Sequence, residues 1–141
     1  MAEGDAIVLN NFKEQLMLKT VDLVNDAFKV ALYDTAVADQ DGAAPAYTPT
    51  NEISGSGYTA AGEDVETPVV TQDDANDWAK WDDDGSNITW SSLEANTILE
   101  ATLYDDTTGT KWICIYWEIA TNSNGGDYTI QFGSDGIMTL S

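Results

Sequence analysis

Histidine and arginine are both missing from this 141-residue chain, which has one cysteine and five lysines. Without imidazole, Ser-His-Asp and Cys-His nucleophilic sites have no general base. A single cysteine cannot close an intramolecular disulfide. With no histidine beside it, it cannot supply the four ligands of an ordinary zinc site. The cations are Lys13, Lys19, Lys29, Lys80 and Lys111, set against 25 aspartates and glutamates, for a net charge of −20. Proteins that hold nucleic acid or anionic lipid neutralise phosphate with Lys and Arg, so this balance predicts no nucleic-acid partner and no membrane partner. No window approaches the ~18 apolar residues of a spanning helix. The acidic start Met1-Ala-Glu-Gly-Asp5, with only Ile7-Val8-Leu9 behind it, predicts no signal peptide.

What is present reads as one globular domain, since 43% of residues are hydrophobic and the length suits a single core. Residues 1–9 read as an N-terminal arm and residues 10–141 as a single β domain. Asn11 followed by Glu14 resembles a capping box and predicts a short helix to about Lys19. From Phe28 the hydrophobic period changes to two, and Phe28, Val30 and Leu32 share one strand face. Residues 35–56 are too polar and irregular for a core element. A strand after Gly57–Gly62 is expected to end near Val69-Val70, with Pro68 marking an edge or a terminus. Residues 72–86 read as an acidic loop closed by an Asp82–Gly85 turn. Further strands are expected at 87–90, 97–104, 111–119 and 128–132, with a last one at 137–140. Lys111 to Ile119 is apolar on both faces, as in a central or doubly covered strand. The fold class is therefore all-β. It is expected to be a β-sandwich or open barrel, tulip- or jelly-roll-like, of about seven or eight short strands with a short N-terminal helix and arm.

Few residues suggest chemistry. Glu100 and Glu118 are the least implausible pair of glycosidase-type carboxylates, and both are expected on solvated or subunit-contact faces. The Asp73-Asp74, Asp82-Asp83-Asp84 and Asp105-Asp106 loops are oxygen-rich but lack the alternating spacing of a calcium loop, so no metal and no cofactor are expected. Cys114 sits in an apolar run and is expected to be a buried, inert thiol. Trp78, Trp81 and Trp90 surround the acidic loop, where they would stack on a sugar, anchor a sheet core or bury against a neighbouring subunit.

The order of blocks is informative. Asn11–Leu16, Phe28–Asp34, Tyr47-Thr-Pro49, Glu52–Gly62, Ile88-Thr-Trp90, Leu103-Tyr-Asp105, Tyr128–Phe132 and Asp135-Gly-Ile137 together resemble a family of small structural proteins of long-tailed bacteriophages. Its members are read as capsid decoration (cement) or virion structural proteins, and they bring no catalytic residues. The resemblance implies a virion protein made in the bacterial host cytoplasm and carried on the outer capsid surface. There it would bind the major capsid protein and itself as a homotrimer. Tail, neck or head-fibre placement is the alternative within the same kind of particle. A carbohydrate-binding β-sandwich module using Trp78, Trp81 and Trp90 is the alternative from another class. The capsid contact is expected on the arm and helix, at Ile7, Val8, Leu9, Phe12, Lys13 and Lys19. An apolar triplet ahead of a helix would otherwise be exposed there.

Overall fold

A computed structural model describes residues 5–42, 45–84, 87–95 and 97–141. The first four residues of the expected arm, and Gly85 of the expected turn, lie outside these described residues. The chain is all-β with one short helix among the described residues. The elements run β1 (Ala6–Val8), α1 (Asn10–Met17), β2 (Phe28–Tyr33), β3 (Glu63–Asp64), β4 (Pro68–Asp73), β5 (Trp78–Asp83), β6 (Ile88–Trp90), β7 (Ile98–Asp105), β8 (Ile113–Thr121), β9 (Tyr128–Ile130) and β10 (Met138–Leu140). They form a five-stranded sheet in the order β1-β8-β7-β2-β3, a three-stranded sheet β10-β5-β4 and a two-stranded sheet β6-β9. Every pairing is antiparallel.

The large sheet forms where alternation is strongest. β7 and β8 bury almost every side chain from Ala101 to Trp117 that lies within a strand, so both faces of their pairing are covered. At their bulge Leu103 faces Ile115 and Tyr104 faces Ile113, leaving Cys114 as the extra, fully buried residue. The described residues of the 35–56 segment, irregular as expected, close one side through isolated bridges from Glu52 to Tyr33 and from Ala46 to Trp112. The Tyr47 ring stacks on Tyr104 at 4.5 Å. The small sheet joins the body through Trp81, whose ring lies 4.9 Å from Phe28 and 6.3 Å from Phe12 and whose Nε1 donates to the Leu23 carbonyl at 3.0 Å.

Four expectations need correction. The arm is no arm beyond residue 5, because β1 pairs Ala6 with Trp117, Ile7 with Tyr116 and Val8 with Ile115. That pairing satisfies the free edge of β8 and buries Ile7 and Leu9, which leaving the triplet in water would not do. The helix opens at Asn10 with Leu9 at the N-cap and no side-chain cap. Asn10 reaches Asp41 instead, and the Asn11 Oδ1 lies buried without a hydrogen-bond partner. At the other end Thr20 N–H donates to the Gln15 carbonyl and Lys19 N–H to that of Leu16, with Lys19 at φ +60°. This is a Schellman closure in which lysine takes the left-handed position glycine usually fills. Finally, β4 starts at Pro68 instead of ending near it. The expected acidic loop contains the β4–β5 turn, whose Asp73 carboxylate accepts from the Ala75 and Asn76 amides, followed by strand β5.

Candidate functional site

The expected contact residues separate into two groups. Ile7, Leu9 and Phe12 are core residues and Val8 is half-buried, so none of the four forms a free docking segment. Lys13 and Lys19 remain exposed. Between them Met17 and Leu18 are 80% and 63% exposed, the most open large apolar side chains of the helix end. The tryptophans divide similarly. Trp81 and Trp90 are 1% exposed and cannot stack on a sugar. Trp78 is half-buried, its Nε1 donating to Asp73 at 3.3 Å.

Carboxylates turn inward more often than the sequence suggests. Glu100 stands opposite Glu118 across β7 and β8, but only Glu118 is in solvent. Glu100 is buried, and its Oε1 accepts the Val37 and Ala38 amides at 3.1 and 2.8 Å, which anchors the irregular segment to the sheet. Burial raises its pKa, and the Glu118 charge adds to the rise. The expectation of a solvated face at Glu100 is thus corrected: two backbone donors replace water. Glu52 accepts hydroxyls from Tyr47 at 2.8 Å and Tyr58 at 2.6 Å, and the Leu32 amide donates to the Tyr58 hydroxyl at 3.1 Å. Beside them the Tyr33 hydroxyl is pushed up to about 12, chiefly by burial. The Glu52–Gly62 block therefore closes the edge of β2. Gly62 sits there at φ +86°, where a Cβ would come within 2.0 Å of the Val30 carbonyl oxygen.

Two buried aspartates were not legible as such. Asp105 is fully buried, and its Oδ1 accepts the Thr107 and Thr108 amides at 2.8 and 3.3 Å. Burial pushes its pKa up to about 6, and the neighbouring Asp26 carboxyl adds to the rise. Asp83 is 3% exposed and accepts the Thr67 amide at 2.8 Å. Among the described residues no group of three or more Cys, Asp and Glu is placed to hold a metal ion. The Cys114 thiol is raised well above its ordinary range by burial and by the Asp105 charge, which keeps it from ionising.

Two surface grooves are better placed for contact than any carboxylate. One, of about 420 Å³, is lined by Val70, Ala79, Trp78 and Leu140, with Asp73, Asp74 and Asp77 at its rim. It exists because the core-facing side of the small sheet outruns the body. The Val70–Trp81–Met138 row is covered at Trp81, while the next row, Gln72–Ala79–Leu140, leaves Leu140 65% exposed. The other groove, of about 370 Å³, is lined by Trp117, Ile119, Tyr128, Ile130 and Phe132 with Thr129 and Gln131, and holds no charged side chain. No protein-family model matches the chain, and neither a curated protein nor a solved structure does.

Proposed function

We propose that the chain is a non-catalytic structural protein of a tailed-phage particle, most simply a decoration protein that docks on the outer capsid surface and reinforces the joints between major capsid subunits. The observation that carries this reading is the placement of apolar surface left over after folding. Met17, Leu18, Val70 and Leu140 are exposed outside the core, whereas the inward carboxylates Glu100, Glu52 and Asp105 support backbone and loops. Exposed apolar residues with charged rims are the usual make-up of a protein-contact surface. The net charge of −20 disfavours nucleic acid, leaving protein as the surface such patches fit. The sequence blocks that resemble phage decoration proteins agree with that chemistry.

Co-sedimentation with shells assembled from the major capsid protein of the same particle tests the reading. Saturable binding at a fixed ratio to capsid subunits is expected. Absence of binding at ~10 µM chain would overturn it.

The uncharged aromatic groove between β8 and β9 favours a second reading, a glycan-binding module. Trp117 and Phe132 lie there with ring centroids 6.1 Å apart, beside the Gln131 amide and the Thr129 hydroxyl. This groove replaces the Trp78, Trp81 and Trp90 platform expected from the sequence. Sugar-dependent quenching of tryptophan fluorescence that is lost in Phe132→Ala supports it. An unchanged spectrum across a broad neutral-glycan panel removes it.

A further inference from the structure

Copies carrying a net charge of −20 repel one another, so a self-contact has to bring opposite charges together locally. Three lysines are already paired within the chain: Lys29 with Asp64 at 2.8 Å, Lys80 with Asp82 at 3.2 Å, and Lys111 with Asp106. Among the described residues Lys13 and Lys19 have no carboxylate partner, and Lys13 bonds only to the Asn10 Oδ1 at 3.1 Å. Lys13 lies four residues before Met17, on the same side of the helix, and Lys19 follows Leu18 directly. The Schellman closure fixes this turn in place, so the end of α1 is a preformed apolar knob edged by two free cations. Its one acid is Glu14.

The groove over β4, β5 and β10 has the inverse character. It is lined by the apolar Val70, Ala79 and Leu140, by Trp78 at the strand end, and by Asp73, Asp74 and Asp77. Bonds from the Asn76 side chain and neighbouring amides hold Asp73 below the usual carboxylate range, so this carboxylate stays charged near neutral pH. Lys80 points toward Asp82 and the Ser134 carbonyl and does not line the groove.

We propose that the α1 knob of one copy, Met17 and Leu18 flanked by Lys13 and Lys19, seats in the β4–β5–β10 groove of a second copy. The occupant is a second copy because this chain carries both complementary halves. Knob and groove are different patches, so the contact is heterologous when they engage two neighbours, giving a ring where the rotation closes, and two-fold when both face the same neighbour. This assembly rests on the reading of the chain as a lattice-bound structural protein, where many copies lie side by side.

Charge exchange tests it in the full-length chain, by measuring mass in solution from about 1 to about 200 µM. The wild type is expected to form a discrete oligomer. Lys13→Glu with Lys19→Glu breaks the knob, and Asp74→Lys with Asp77→Lys breaks the groove. Each double variant alone should dissociate at least tenfold more readily. Combining all four substitutions in one chain should recover the oligomer, because every knob then meets a groove of opposite charge whatever the number of copies. The groove variant is less negative than the wild type, so if overall repulsion alone governed association it would associate more strongly, not less. Leu140→Asp, at an exposed position, is a second groove lesion should the lysine variant fail to fold, and it should also yield monomer. A wild type that stays monomeric, double variants that assemble normally, or a four-fold variant that does not recover would each overturn the proposal. Shell co-sedimentation separates the two levels. A monomer that binds shells sinks the self-contact alone, and an oligomer that ignores shells sinks the capsid reading alone.

Discussion

The five-stranded and three-stranded sheets solve opposite problems with the same kind of strand. In the large sheet, β7 buries Glu100, Thr102 and Asp105 alongside Ala101 and Leu103, because both of its faces are covered. In the small sheet only Trp81 and Asp83 are buried, and Val70 and Leu140 stay 46% and 65% exposed on the same side as Trp81. Closure on two faces makes the large sheet the source of stability. Partial coverage leaves the small sheet with surface to offer a partner. Three inward carboxylates, Glu100 and Asp105 of the large sheet and Asp83 of the small one, are held by backbone amides. Asp73, Asp74 and Asp77 instead line an open groove at the end of the small sheet.

Trp81 is where this contrast can be broken most severely, since its ring joins the small sheet to Phe12 and Phe28. Trp81→Ala should cost about 3–5 kcal/mol in denaturant unfolding, as large-to-small changes of core aromatics do. A loss below about 1 kcal/mol would mean the small sheet is not anchored through this residue.

An intermediate effect is expected at Asp105, where pH sharpens the comparison. Its carboxyl titrates near 3.8 when unexposed to the fold and at about 6 in it, so the folded state holds the proton more tightly. That contribution is complete below about pH 3.8 and is lost as pH rises through 6. The expected loss between pH 5 and pH 8 is on the order of 1–2 kcal/mol. Lower overall repulsion at acid pH acts in the same direction, and Asp105→Asn separates the two. This variant keeps an oxygen for the Thr107 and Thr108 amides and gives Asp26 a donor. It should be more stable than wild type at pH 8, with a flatter pH profile. Equal slopes for both proteins would remove Asp105 from the explanation.

The smallest effect belongs to the overhang. Leu140→Ala should change stability by no more than about 0.5 kcal/mol, because the side chain already lies largely in water. A loss above about 1.5 kcal/mol would make Leu140 part of the core and cancel the contrast between the sheets.

Much of the large sheet was legible. The alternation of Phe28, Val30 and Leu32, and the doubly apolar run around Cys114, identify β2 and β8 and the burial of the thiol. β1 was misread because Ile7-Val8-Leu9 is too short to declare its partner; the unpaired edge it fills belongs to residues more than a hundred positions away. β5 was hidden by composition. Trp78-Ala-Lys-Trp-Asp-Asp83 reads as loop when acids are counted, yet Trp81 and Asp83 share the inner face. Asp83 is tolerated there because the Thr67 amide meets it, a contact no spacing rule contains. Glu52 did have a signal in the flanking Tyr47 and Tyr58, but that three polar tips converge depends on Gly62 allowing the chain to approach Val30 closely. The overhang was not legible at all, since it depends on where one sheet ends relative to the body beneath it.

Amide hydrogen exchange, compared between dilute free chain and chain bound at high density on capsid shells, tests the division of labour most directly. β7 and β8 should exchange slowest in both states, with no change on binding. New protection should appear in β4, β5 and β10 and in the turn after α1, residues 17–20. Protection gained only along β8 and β9, or none anywhere on the shells, would contradict the account.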